Sequence, residues 1–515
     1  MGERMGTQGA ATGEYPFDTS GIEVGADGIR RYTDLPVNLV RVLLAQAATR
    51  AESTAIVELG GGELTYGQLW ERAMRVAGGL RDAGVTAGDR VAVQLPNGVD
   101  WVLAFWGAQL AGAIVVPMNT RLAPAEAEFI LADCGATHMI RPGEPLPDGE
   151  PGELPDPAHS DVAALFYTSG TTGRPKGAMT THENFLSNIE SVLRCRELSR
   201  DPAVRHATLI SVPLFHVTGC NSQFLTQVAL GGTSVLMPRF DATAFLAAIP
   251  QYGITLLTSV PTIYELVLRH PALATTDVST VRTLSYGGAP IAPELVHRLG
   301  TAFPNARLGN GFGLSETSAL ATFLPHEYAA THADAVGFPT PVNEVRLDRP
   351  DPVTGVGELL VRGPNVVAGY WGDAERTAET FVDGWLHTGD LATITDGIVR
   401  IVDRAKDMIN RGGENVYSVE VENALAEHPD VLEVAVVGVA DPVMGEKVGA
   451  VVLPRPGVTA EELVPALCGF ARERLADFKC PQFVRVIDGP LPRNAGGKVL
   501  KAPLRDAEGW VAVPR

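Results

Sequence analysis

An α/β fold is what this sequence predicts, with a large N-terminal body of several subdomains and a small α+β domain at the C-terminal end. Three observations carry it. A chain of 515 residues is too long for one ordinary hydrophobic core. From Arg90 onward, short apolar runs alternate with helical periodicities, the pattern of a parallel sheet covered on both faces. From Asp403 the texture changes to a helix, two strands, a second helix and a further strand. The expected divisions are a flexible extension over 1–30, the body over 31–403 and the small domain over 404–515.

Each element has its own signal. Arg90 to Leu95 reads as a strand, Val99 to Leu110 as a helix and Ala113 to Val116 as a strand. The stretch from Trp101 to Met118 is almost wholly apolar, but Gln109, Gly112 and Pro117 interrupt it and it falls short of the roughly 20 residues a membrane span needs. A buried helix running into a buried strand is the reading adopted. Arg141 to Pro157, dense in Pro, Gly and Glu, reads as a surface connection. Asp161 to Tyr167 is the next strand. After a polar loop comes a helix with Phe185, Leu186, Ile189, Val192 and Leu193 on one face and Thr181 as its N-cap. Strands follow at Ala207 to Val212, Thr233 to Met237, Thr255 to Ser259 and Thr283 to Tyr286. In the small domain a helix with Val421, Ala424, Leu425 and His428 on one face precedes strands at Leu432 to Val439 and Val448 to Leu453.

Composition narrows the function classes. The 41 basic and 60 acidic residues leave a net charge of -19, with the acidic groups spread along the chain. A nucleic-acid partner, which needs a basic footprint, is disfavoured. Five cysteines without paired spacing and an N-terminus lacking an apolar signal core point to a cytoplasmic protein with no transmembrane segment.

The loop Y-T-S-G-T-T-G-R-P-K-G-A-M, from Tyr167 to Met179, places three glycines, four hydroxyls and Lys176 in a turn directly after a strand. Free backbone N–H groups, hydroxyls and one cation suit a polyphosphate. Pro175 and Gly177 stand where a Walker loop needs Gly and Ser or Thr, so an ordinary P-loop NTPase is disfavoured. Taken alone, the loop would equally suit a plain surface turn.

With this loop and five further motifs in order, the chain resembles the adenylate-forming superfamily of acyl-CoA synthetases, aryl-CoA ligases, luciferases and peptide-synthetase adenylation domains. The resemblance spans about residues 35 to 505. It implies that Thr168, Ser169, Gly170, Thr171, Thr172 and Lys176 hold the phosphates of ATP. In P-L-F-H-V-T-G, His216 takes the place of a gate between nucleotide and acyl pocket. In N-G-F-G-L-S-E-T, the segment Asn310, Gly311, Phe312 and Gly313 meets adenine, with the Phe312 ring stacking on the base. Ser315 contacts the α-phosphate, and Glu316 binds Mg2+ as a hard oxygen ligand, with Thr168 in the same metal set. Phe312 and Ser315 replace the commoner Tyr and Thr but keep the ring face and the hydroxyl. Upstream, G-G-A-P places Gly288, Ala289 and Pro290 at the wall of the adenine pocket.

The same resemblance makes Asp390, ending W-L-H-T-G-D, the ribose ligand. In D-R-A-K-D-M-I-N-R-G-G-E-N-V it gives Arg404 a ribose or phosphate contact, Lys406 the interdomain hinge, and Gly412 and Gly413 the passage of the pantetheine arm of coenzyme A. Lys498, in P-L-P-R-N-A-G-G-K-V-L-K, becomes the adenylation lysine on a mobile domain. Ser418 stands where the family more often has Pro. Catalysis is thus expected from Lys498, His216, Lys176 and Glu316, on a small hydrophobic carboxylic acid (fatty, aromatic or polyketide-like) with ATP, Mg2+ and CoA. Delivery to an acyl carrier protein, arrest at the adenylate and a homodimeric state stay open. A luciferase-like oxygenase has no positive sign in the residues. A catalytically dead binding protein would be expected to lose Lys498, Glu316 or Asp390, and all three are present.

Overall fold

The computed structural model describes residues 15–168, 174–493 and 499–513. It divides into two compact units. The first holds the described residues up to Arg346 with Leu360–His387 and Thr395–Val399; the second holds Leu347–Leu359, Thr388–Ile394 and the described residues from Arg400.

Two sheets organise the first unit. The larger runs Phe338–Pro339, Thr322–Leu324, Arg307–Phe312, Thr283–Gly287, Leu256–Ser259, Ala207–Ile210, Thr233–Leu236, Thr54–Glu58, Glu63–Thr65. Its six central strands are parallel and its flanking strands antiparallel. Its central strands are four to six residues long and mostly buried on both faces, which fits a sheet covered by helices rather than one facing water. The second sheet runs His138–Ile140, Arg90–Val93, Ile114–Pro117, Val162–Thr168, Lys176–Thr181, parallel except for its last strand. That last pairing sets Thr168 opposite Lys176, on the two strands that flank residues 169–173.

The membrane-like stretch is indeed a buried helix, Val99–Ala111, leading into the strand Ile114–Pro117. Every residue of that helix but Asp100 is buried. Trp101 stacks on Phe105 at 5.3 Å, and Phe224 meets both rings edge-on. No helix among the described residues is long and apolar enough to cross a membrane. The helix His182–Cys195 starts where expected: Thr181 accepts from the Asn184 N–H, and Asn184 returns a bond to the Thr181 N–H. The Pro/Gly-rich connection is irregular, yet it is tied down by Arg75, whose guanidinium meets Asp148 at 2.6 Å.

Within the expected extension over 1–30, the described residues begin at Tyr15 and pack on the first unit. Phe17 is buried against Val192, Phe323 and Phe338, Tyr15 donates to the Pro339 carbonyl, and Ile22–Val24 pairs with Arg30–Tyr32. Two aromatics in a Gly/Thr-rich tract suffice to dock it.

In the second unit the strand Gly445–Pro454 pairs with Val431–Asp441, Ile409–Arg411 and Phe483–Val486. The helices Ser418–Ala426 and Ala460–Arg472 bury Val421, Leu425, Leu463 and Leu467 against Val436, Val448 and Val452. The first of these helices stops short of His428, because Pro429 disfavours helical geometry in the residue before it. His428 is still buried, edge-on to Phe470 at 5.1 Å.

Candidate active-site residues

In the first unit the predicted residues gather at the carboxyl ends of the parallel strands, where open α/β sheets bind ligands. Lys176 opens the strand Lys176–Thr181, and its ammonium sits 4.7 Å from the centre of the Tyr370 ring. The Tyr370 hydroxyl donates to Glu316 Oε1 at 2.8 Å. Burial first, and the neighbouring Glu316 charge second, push that hydroxyl well above its ordinary range, so it stays a donor. Glu316 lies on the single turn Ser315–Thr317, and its Oε2 accepts no hydrogen bond from the described residues. A carboxylate oxygen left open, with the Thr168 hydroxyl on the hairpin that packs against this turn, is a hard-oxygen set. It suits Mg2+, which takes few protein ligands and completes its shell with water and phosphate.

Four buried asparagines brace the turn after Glu316. Asn221 donates to the carbonyl and hydroxyl of Ser318, Asn365 to the carbonyls of Thr317 and Leu320, and Asn343 to those of Leu320 and Ala321. Asn188 accepts from the Leu320 N–H. They hold Ser318 at φ 51° and Ala319 at φ 115°, conformations that cost roughly 1–3 kcal/mol without support. Gly313 is fixed by the same fold-back: a Cβ there would stand 1.4 Å from the Ala319 carbonyl oxygen.

The remaining residues of this group divide by role. Asn310 is buried, and its amide donates to the Ala335 carbonyl. Gly311 and Phe312 follow on the strand edge, with Phe312 half-buried. Gly288, Ala289 and Pro290 form an exposed loop after the strand Thr283–Gly287. His216 stands at the N-terminus of the short helix Val217–Gly219, its ring 4.7 Å from that of Phe215. Its Nε2 is enclosed without a hydrogen-bond partner among the described residues, and burial, aided by the Arg121 charge, pushes the imidazole down to about 4. It is therefore neutral at physiological pH. Ser169, Gly170, Thr171, Thr172 and Lys498 lie outside the described residues.

The second unit holds its own charged set. Asp390, 3% exposed, meets the Arg404 guanidinium at 3.1 Å. Next to Arg404, Asp403 accepts from the backbone N–H and, at 3.0 Å, from the hydroxyl of Ser418. Lys501 donates to the same hydroxyl at 2.6 Å and pairs with Glu422 at 2.7 Å. Burial raises both Asp403 and Glu422 above the ordinary carboxylate range, against the opposing pull of Lys501. Lys406 is exposed, yet the desolvation it does undergo lowers its ammonium. Arg505 donates to its carbonyl. Gly412 and Gly413, at φ 62° and 94°, form the two-residue loop of the hairpin joining Ile409–Arg411 to Glu414–Val416. Two positive φ values are what a type I′ hairpin requires.

Sequence reasoning passed over Tyr370 and the bracing role of the four asparagines. Tyr370 carries only the faint signal of an aromatic pair after glycine, in G-Y-W. The asparagines sit singly in otherwise unremarkable segments.

Comparison with known proteins places the chain in a family. Residues 43–150 and 143–371 match the AMP-binding enzyme family, and residues 420–498 match the AMP-binding enzyme C-terminal domain. A feruloyl-CoA synthase of Amycolatopsis sp is 40% identical over 480 residues, covering 87% of this chain and 95% of the relative. A 3-[(3aS,4S,7aS)-7a-methyl-1,5-dioxo-octahydro-1H-inden-4-yl]propanoyl:CoA ligase of Rhodococcus jostii is 36% identical over 526 residues, covering 92% and 99%. Among solved structures, ATP-bound MatB from Rhodopseudomonas palustris superposes with a TM-score of 0.83 at 30% identity, covering 91% of this chain and 98% of the other. The chain belongs to the AMP-binding enzyme family, with a large α/β body and a separate small C-terminal domain.

Proposed function

We propose that this enzyme couples a hydrophobic carboxylic acid to coenzyme A in two steps. A carboxylate oxygen attacks the α-phosphorus of ATP, the bond to the β-phosphate oxygen breaks, and pyrophosphate leaves. The CoA sulfur then attacks the acyl carbon and AMP departs. A carboxylate is a poor electrophile because its charge repels nucleophiles and its oxygen leaves badly; the adenylate removes both obstacles.

The observation that carries this reading is the Lys176–Tyr370–Glu316 set beside the paired strands that flank residues 169–173. Charge accumulates on the phosphates as pyrophosphate departs, and fixed cations in a water-poor site stabilise it. Lys176 supplies one such charge, with no carboxylate partner among the described residues. A divalent cation held by Glu316 and Thr168 would add positive charge at the same phosphates. Neutral His216 offers a ring face and an uncharged nitrogen, which suits a gate beside a carboxylate better than a phosphate clamp. Lys498 is assigned to the first step, and Asp390 and Arg404 to the ribose.

The names of the relatives guide the choice of acid. Two feruloyl-CoA synthases share 40% identity with this chain, so hydroxycinnamic acids head the panel, followed by fused-ring propanoic and long-chain fatty acids. The test is pyrophosphate release across that panel with and without CoA, with AMP and thioester measured together. Acid-dependent pyrophosphate release with stoichiometric thioester is expected. Pyrophosphate release without thioester in the presence of CoA would move the acceptor elsewhere, and none with any acid would overturn the reading.

A further inference from the structure

Lys176 and Glu316 are opposite charges on neighbouring segments, and nothing in the chemistry of either would stop them from pairing. A direct ion pair would cancel the cation that phosphate needs and occupy the carboxylate that a metal needs. Instead Tyr370 stands between them. Its ring face takes the ammonium at 4.7 Å and its hydroxyl donates to Glu316 Oε1 at 2.8 Å, while Oε2 accepts no hydrogen bond from the described residues. A cation over an aromatic face keeps its full charge, and a hydroxyl donor orders a carboxylate without neutralising it.

The ring is held from several sides. Tyr370 is 5% exposed and meets Phe381 edge-on at 5.7 Å. Its backbone N–H donates to the Thr377 hydroxyl at 3.0 Å. The Met179 N–H donates to the Gly369 carbonyl and the Trp371 N–H to the Gly177 carbonyl, which zips this segment along the strand that Lys176 opens. The Val367 N–H donates to the Glu316 carbonyl at 2.9 Å, fixing the other end. The segment Val367–Trp371 thus bonds to the backbone of Glu316 and to that of Gly177 and Met179, just after Lys176, and Tyr370 touches the side chains of both charged partners.

We propose that Tyr370 is a positioning residue that keeps Lys176 and Glu316 ordered and apart, so that the cation stays free for phosphate and the carboxylate for a divalent cation. This rests on the adenylate-forming reading of the site. Its hydroxyl and its ring do separable work. Tyr370→Phe keeps the spacer but releases Glu316. Tyr370→Leu removes the spacer and lets Lys176 and Glu316 collapse onto each other.

Calorimetric titration with metal-free ATP in EDTA, and with Mn2+·ATP monitored in parallel by the electron paramagnetic resonance of bound Mn2+, separates these effects. For Y370F, metal-free ATP binding stays within about twofold of wild type, while Mn2+·ATP binds about tenfold more weakly because Glu316 has lost a charge-assisted hydrogen bond. For Y370L, metal-free ATP also weakens about tenfold. The double variant Y370L/E316Q returns metal-free ATP to within about threefold of wild type, since Lys176 then has no carboxylate to pair with. A purely structural role predicts no such rescue. Y370L binding metal-free ATP like wild type, or a double variant no better than Y370L, overturns the proposal. Wild-type protein that binds no ATP at all would overturn the adenylating reading instead, and the melting curve of each variant checks that it folds, with Y370F, which preserves the packed ring, as the reference.

Discussion

Lys176 and Glu316 in the first unit carry opposite charges that an aromatic ring holds apart, whereas Lys501 and Glu422 in the second meet at 2.7 Å, with Ser418 and Asp403 closing the cluster. One arrangement leaves an ammonium and a carboxylate oxygen open to a ligand. The other satisfies its charges internally. A reactive site and a structural knot can therefore use the same residue types, and what separates them is whether the polar capacity of each group is already spent.

Removing one carboxylate from each cluster is the sharpest way to break the comparison. In the first cluster Glu316→Gln should lower adenylate formation on the order of 100- to 1,000-fold, with thioester formation from supplied acyl-adenylate largely retained; Lys498→Ala, outside both clusters, should do the same. Melting temperature should hardly move. Glu422→Gln should do the reverse: it strands Lys501 in a mostly buried position and destabilises the second unit by about 3 kcal/mol, measured by denaturant unfolding. Equal loss of both half-reactions in Lys498→Ala would remove its assigned role. A stability loss in Glu316→Gln matching that of Glu422→Gln would erase the distinction between the clusters.

A backbone contact gives the next effect. Gly313→Ala drives a Cβ into the Ala319 carbonyl, and the asparagine brace leaves no easy retreat. A loss of about 3 kcal/mol is expected, together with weaker ATP binding, because Ser315 and Glu316 ride on the same turn.

Acid titration should separate the units by sign. Burial pushes His182 and His216 down to about 4. Such groups give stability that is complete above the unfolded value near 6.5 and is lost as pH falls toward 4, up to about 1.4 kcal/mol per pH unit for each. Asp403 and Glu422 are raised, so their contribution is complete at low pH and declines as pH rises through their folded values. Between pH 6 and 4 the first unit should weaken while the carboxylate cluster of the second gains. Unfolding at pH 7, 6 and 5 checks this; His182→Gln should flatten the slope of the first unit, and an unchanged slope would remove the histidine from the account.

Much of this was legible in the sequence because it is encoded locally. The strands Arg90–Val93, Ile114–Pro117 and Thr283–Gly287 are short apolar runs, Thr181 caps its helix through the residue three places on, and Lys176 and Glu316 sit inside dense motifs. What could not be read depends on contacts between distant segments. Tyr370 reaches Glu316 across 54 positions, and Asn221 reaches Ser318 across 97. No spacing announces either. The docking of Phe17 is similar, since one aromatic in a Gly/Thr tract gains its meaning only from the groove formed by Val192, Phe323 and Phe338.

Ser418→Pro gives the smallest effect and the finest test of the second cluster. Ser418 is the first residue of its helix, the position where proline is best tolerated, because its N–H has no partner within the helix. Here that N–H has a partner outside the helix, in Asp403, and the hydroxyl joins Asp403 to Lys501. Proline would remove both donors from a carboxylate that burial already disfavours, which costs about 1–3 kcal/mol. Against this it restricts the unfolded chain by about 0.4–1 kcal/mol. A net loss of about 1 kcal/mol is expected by denaturant unfolding, with the Lys501–Glu422 pair left to hold the cluster. A neutral outcome would mean that the Lys501–Glu422 pair alone sets its strength. A loss as large as that of Glu422→Gln would mean that the serine, rather than the ion pair, is the element on which it rests.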